Sequence, residues 1–216
     1  MKTIIQIVLW IACIGLGFLI YDSVTGPIEF KKIKVERFGK VVAKLKDIRN
    51  SQEAYKTVNG IYAEDFKTLI NFVDTGSYVI TQQRDSSYME FDETYQIDML
   101  TEVKLIDTLG FVSVKDSLFK KDTRYKNLME IPGAPGGEKI TMKAGFVEKS
   151  GYRAPVFEAK VEKNILLYDQ PKDLVMRENA QISVEQVNGT AIRVGSMEEV
   201  STSGNWPPIY DRKDSQ

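Results

Sequence analysis

The chain has 216 residues, of which 43% are apolar and 27% charged, and its formal net charge is −1. These values exclude wholesale disorder and leave room for one soluble domain of about 150 residues beyond an N-terminal apolar segment. The absence of histidine removes the commonest general base. The single cysteine, Cys13, excludes an intrachain disulfide and a cysteine-based metal site.

The first predicted element is an apolar helix over residues 4–20, interrupted only by Gln6 and two glycines. It spans roughly 25 Å, close to the thickness of a hydrocarbon core. Because no convincing small-residue cleavage site follows it, we expect residues 1–27 to remain as a single-pass anchor in the cytoplasmic membrane. Gly15 and Gly17 permit close approach of another helix and are the predicted anchor-packing residues.

A second, amphipathic helix is predicted over residues 28–60 and is called the stalk. We expect Gly26-Pro27 to separate it from the anchor, because proline suits the first turn of a helix better than its interior. Asn59-Gly60 is expected to end it. Its apolar side chains recur at steps of three and four, with Gln52 as the one interruption. The predicted stalk-packing residues are Phe38, Val41, Val42, Leu45, Ile48 and Tyr55.

Charge is unevenly distributed along the chain. Residues 1–60 hold ten basic and five acidic residues, whereas residues 61–216 hold nineteen and twenty-five. The basic stalk therefore has three interpretations: contact with anionic lipid headgroups, docking on its own acidic domain, or a solvated face. From the sequence we adopt the solvated face, with Lys44 as an example.

Residues 61–200 are predicted to form an α+β domain, and residues 201–216 a polar tail. A short helix is expected at 63–73, and Pro171 is expected to open another at 172–179. Predicted strands are 78–82, 101–108, 111–115, a hairpin of 139–148 with 154–161, and a hairpin of 181–187 with 191–194 across Asn188-Gly189. The aromatic-proline patch at 206–210 is expected to fill a groove in its own domain.

Two segments have compositions that occur in ligand sites. Residues 84–98 are acidic but lack the ligand spacing of a calcium loop, so they are predicted to form a solvated loop. Gly133–Lys139 lacks the Gly-Lys-Ser/Thr ending of a phosphate loop and is predicted to be a turn. No spacing singles out a catalytic pair. The sequence therefore predicts a non-enzyme without catalytic, metal or cofactor sites, small-molecule substrate or nucleic-acid partner.

At residues 37–60 the chain resembles type IV pilins and secretion pseudopilins. The resemblance covers about a quarter of the chain and lies mainly in Leu45–Tyr62, which ends in an aromatic and Asn-Gly-x-Tyr passage. It implies an N-terminal helix that is half in the membrane and half packed on a sheet. The chain departs from a prepilin because Asp22 stands where the family has glutamate, so prepilin processing is not implied.

The leading hypothesis is an α+β protein with a transmembrane helix and a stalk helix packed on an antiparallel sheet. It would be a structural part of a bacterial envelope assembly, partnered by the membrane and by further copies or other envelope proteins. Its domain would face the periplasm or the exterior, and the domain alone is expected to be monomeric. One alternative is a cytoplasm-facing scaffold or regulator, which the cations at 31–37 favour under the positive-inside rule. Another is a secreted binding domain with a cleaved leader.

Overall fold

The computed structural model describes residues 2–92, 97–149, 151–183 and 185–210. Its longest element is α1, which runs without a break from Lys2 to Asn59. The predicted interruption at Gly26-Pro27 is therefore wrong. Proline has a helix-compatible φ and removes only one backbone donor, and the segment beyond it is held in register by the core. Gly60 ends the helix with φ +78° and donates its N–H to the carbonyl of Lys56 at 2.7 Å, as predicted.

The remaining elements form an α+β fold with antiparallel sheets. They are α2 (Phe66–Thr75), β1 (Ser77–Asp92), β2 (Ile97–Ser113), α3 (Val114–Leu118), a 3-10 turn (Arg124–Asn127), β3 (Thr141–Lys149), β4 (Tyr152–Glu162), α4 (Lys163–Leu166), α5 (Lys172–Ala180), β5 (Ala191–Gly195) and a 3-10 turn (Pro208–Tyr210).

The distal half of α1 is the centre of the domain's core. The stripe residues with no exposed surface are Phe38, Val41, Val42, Leu45 and Ile48. Tyr55 is half-buried and packs edge-on against Phe72 of α2, with ring centroids 5.0 Å apart. Gln52, which interrupts the apolar stripe, both donates to and accepts from the backbone of Ala63, at 2.8 and 2.9 Å. This polar residue therefore fixes the turn that follows the stalk.

The stalk packs against a three-stranded antiparallel sheet of order β3-β4-β5. The central strand, β4, contributes Phe157, Ala159 and Val161 to the core, as its period-two pattern predicts. The hairpin of β3 and β4 agrees with the sequence. The hairpin predicted for 181–187 with 191–194 is wrong, because β5 pairs with β4 and the described residues of 181–187 form no strand.

β1 and β2 form a separate two-stranded hairpin, called the arm. The two short strands predicted about Gly110 are one strand, with an irregularity in the pairing opposite Ile80 and Thr81. The segment predicted as an acidic loop, 84–98, lies largely in these strands, although residues 93–96 are outside the described part. Polar and apolar residues are mixed on both faces of β1 and β2. The sequence therefore has no two-residue repeat along their full length that would predict so long a hairpin.

Candidate functional site at the base of the stalk

The stalk is fixed to the domain by two cations one helical turn apart, Lys34 and Arg37. Residues three apart on a helix share a face, and both side chains reach the segment of α4 and α5. They lie where α1 leaves the domain, since Phe30 is the first core residue of the helix. Lys34 forms an ion cluster with Lys163 and Glu178, and these three are the buried charged residues of the described part of the chain.

Glu178 of α5 bridges two lysines. Its carboxylate accepts from Lys34 Nζ at 2.8 Å and from Lys163 Nζ at 3.2 Å. The side chains of Lys163 and Glu178 are 0% and 3% exposed. Lys163 Nζ also donates to the carbonyl of Val187 at 2.7 Å, and Lys34 Nζ to the Gln186 side chain at 3.0 Å. Every charged group in the cluster therefore has partners.

Burial sets the electrostatics of this cluster. Desolvation lowers the pKa of Lys163, and the neighbouring Glu178 carboxylate opposes that shift. A buried charge without a partner costs several kcal/mol, whereas a paired and hydrogen-bonded one is tolerated. One carboxylate is thus shared by two ammonium groups, and the stalk residue Lys34 adds to the lowering of the pKa of Lys163.

Arg37 forms a second set of ion-pair and hydrogen-bond contacts, with the end of α4 and the loop between α4 and α5. Its guanidinium donates to both carboxylate oxygens of Asp169, at 2.6 and 2.8 Å, and to the carbonyl of Leu166 at 2.7 Å. It also lies 5.5 Å from the ring centroid of Tyr168. The hydrogen bond from Arg37 holds the pKa of Asp169 well below its ordinary value. Two-point pairing of this kind fixes orientation as well as distance.

The prediction of a solvated basic face is wrong for several stalk residues. Lys44 donates to the carbonyls of Asn127 and Glu130 at 2.5 and 2.9 Å, and burial lowers its pKa. Lys46 donates to the carbonyl of Tyr210 at 2.8 Å. Together with Lys34 and Arg37, they favour docking of the stalk on its own domain. Lys40 is exposed and pairs with Glu36 one turn away on the same helix.

A cavity of about 400 Å³ lies beside the cluster. Its walls include Val35, Phe38 and residues 207–210 of the aromatic-proline patch. The rings of Phe38 and Tyr210 are 6.5 Å apart, and burial raises the pKa of Tyr210 to about 12. The patch therefore packs on its own domain, as predicted. Lys34 and Glu178 of the ion cluster also line the cavity and bind each other.

The predicted anchor-packing residues lie elsewhere, on the unpacked half of α1. Gly15 and Gly17 have no neighbouring atom near the position of an added Cβ. Cys13 is exposed and lies one turn before Gly17, so these two residues share a face, as does Gln6. Gly15 lies on the opposite side of the helix, about 200° around the axis from Cys13 and Gly17.

Sequence reasoning missed Glu178 and Lys163, because nothing local distinguishes them from surface residues. In the sequence, Lys163 is only a charged residue directly after a buried strand, and Glu178 is only a charged residue in a short helix.

In the described ranges, no three His, Cys, Asp or Glu side chains are grouped closely enough to hold a metal ion. Comparisons with protein-family models, curated proteins and solved structures find no match for the chain.

Proposed function

We propose that the protein is a membrane-anchored, pilin-like structural component of a bacterial envelope assembly or secretion system. The observation that carries the proposal is that the two parts of one continuous helix, α1, differ in burial. Among the described residues, the part of α1 before Phe30 has no buried side chain, while the part after it is the centre of the domain's core. Within the described residues, α1 alone is long and apolar enough to cross a membrane.

A continuous helix joins anchor and domain without a flexible linker. The ion pairs of Lys34 and Arg37 lie on the domain side of the point where the helix leaves the domain. A force on the domain is therefore transmitted to the anchor, which suits a structural part better than a freely tethered domain. Gly17 and Cys13 are two small residues one turn apart on the anchor face that also carries Trp10, and beside them a second helix can approach closely.

The alternative with the stalk lying on anionic lipid is less well supported. Four stalk cations, at 34, 37, 44 and 46, bind the protein's own domain. Among the cations of 31–37, only Lys31 and Lys32 are exposed and free to meet headgroups. The proposal therefore places the domain outside the cytoplasm, in the periplasm or beyond, with the anchor in the cytoplasmic membrane.

The side of the cytoplasmic membrane on which the domain lies tests this proposal. In a Cys13→Ser background, we would substitute Val200, which is 63% exposed, with cysteine and treat intact spheroplasts with a membrane-impermeant maleimide. We expect labelling without permeabilisation and retention of the protein in carbonate-washed membranes. A cysteine placed at Lys2 is the matched control and should label only after permeabilisation.

The competing outcomes are distinct. Labelling at position 200 only after permeabilisation would support the cytoplasm-facing scaffold instead. Release of the protein by carbonate, with a mature start between residues 15 and 30 by intact mass, would support the secreted domain. Either result would overturn the proposal.

A further inference from the structure

The arm lacks the support that a hairpin of its length needs. Its strands of 16 and 17 residues pair only with each other among the described residues. A two-stranded hairpin is marginally stable in water without a third strand or a covering element. Nevertheless, Met89, Leu100 and Ile106 on one of its faces are 61–68% exposed. In the described part of the chain no further strand pairs with either edge of the arm, so both edges offer backbone groups for pairing.

The sequence of β2 is self-complementary about Val103. When the strand is placed antiparallel to a copy of itself with Val103 opposite Val103, Glu102 falls opposite Lys104. In the same register Leu100 falls opposite Ile106. Directly opposed residues point to the same face, where opposite charges and apolar pairs stabilise the pairing and like charges destabilise it.

We propose that β2 pairs antiparallel with β2 of a second copy of this chain, about a two-fold axis at Val103. The product is a four-stranded sheet in which the free edge of each β2 is covered by the other. The contact is isologous, since each copy supplies Glu102 to the other's Lys104. The interface lies outside anchor and stalk, so it does not depend on the proposed function.

The pairing of β1 with β2 within each arm extends the rows of charged and apolar residues across the proposed sheet. Asp85 of β1 lies opposite Lys104, and Met89 lies opposite Leu100. Across the proposed sheet, Asp85, Lys104 and the second copy's Glu102 then form a row of alternating charge. A second row places Met89 and Leu100 beside the second copy's Ile106. The two strands of the arm have two basic and six acidic residues, so these local pairs offset a general repulsion between arms.

This inference revises one expectation from composition, that the domain alone is monomeric. That expectation assumed that the domain needs its apolar residues for its own core. Ile106 and Leu100 are instead among the exposed residues of the arm. The core is completed by the stalk, and the apolar residues of the arm remain for contact with a second copy.

A disulfide trap on the full chain in mild detergent tests the pairing. In a Cys13→Ser background, Val103→Cys should give a covalent dimer at twice the monomer mass of 24.5 kDa. Directly opposed Cα atoms lie about 4.5–5.5 Å apart in antiparallel pairs, within disulfide range. Ser87→Cys, on the outer strand of the proposed sheet, is the control and should remain monomeric. Equal dimer yields from the two variants would overturn the proposal.

Exchanging the charges at Glu102 and Lys104 distinguishes a loss of strand pairing between copies from a loss of folding of the arm. In the Val103→Cys background, Glu102→Lys alone and Lys104→Glu alone should each lose the dimer, because like charges then face each other across the axis. Mixing the two variants should restore a covalent heterodimer, since their charges are complementary, and this rescue requires folded arms. Failure of the mixture to recover, or crosslinking only to a different protein, would show that the second copy is not the occupant.

Discussion

A Glu178→Gln variant is expected to lose about 3–5 kcal/mol of unfolding free energy, because removal of one partner leaves buried charge uncompensated. The carboxylate is the shared ion-pair partner of Lys34 and Lys163, whose side chains are 10% and 0% exposed. The amide keeps the size of the side chain and removes the charge, so the loss reports electrostatics rather than packing. Urea unfolding of the full chain in detergent measures it.

Glu36→Gln provides the matched control. Glu36 is an exposed carboxylate that pairs with Lys40 on the same helix, and its neutralisation should leave the free energy of unfolding nearly unchanged. Both variants should keep the wild-type dependence of stability on urea concentration. Equal small losses from the two substitutions would show that the Lys34–Glu178–Lys163 cluster does not hold the stalk.

Leu45→Ala is expected to cost about 2–5 kcal/mol, the range for a fully buried leucine that leaves a cavity. Leu45 has no exposed surface and lies in the middle of the stalk stripe. Fluorescence of Trp206, in a Trp10→Phe background, follows unfolding of the domain separately from the membrane segment.

Lys40→Ala is the appropriate comparison on the polar face, with an expected change within about 0.5 kcal/mol. Lys44 does not serve this purpose, because it donates hydrogen bonds to two backbone carbonyls of the domain. If Leu45→Ala and Lys40→Ala had equally small effects, the stripe would not be the core of the domain. It would then be a surface for membrane or partner.

The sequence predicted those features that depend on local periodicity. The stalk stripe has a 3.6-residue repeat and β4 has a two-residue repeat, so both indicate which side chains face the core. Asn59-Gly60 and Pro171 marked helix ends through their backbone preferences. The continuity of α1 through Pro27 was not predictable in this way, because it depends on the core that holds the helix beyond that residue.

The candidate site was not predictable because its contacts are distant in sequence. Lys34 and Glu178 are separated by 144 positions, and each resembles an ordinary surface charge when considered alone. The wrongly predicted second hairpin has a similar cause. Its Gln186 side chain and Val187 carbonyl bind Lys34 and Lys163, and the Asn188 side chain accepts from the backbone of Ser183 at 2.8 Å. These contacts hold residues 186–188 outside the ladder of β5, although Gly189 keeps the positive φ of +80° that suits a turn.

The most direct test of the central claim, that the protein acts by assembly through its anchor, is self-crosslinking of the full chain through Cys13 in native membranes. We predict a covalent dimer at twice 24.5 kDa. Gly17→Leu should reduce its yield, because Gly17 shares the face of Cys13, whereas Gly15→Leu on the opposite side should reduce it less. A chain that stays monomeric in mild detergent, and whose Cys13 crosslinks neither to itself nor to a neighbour, would contradict the account.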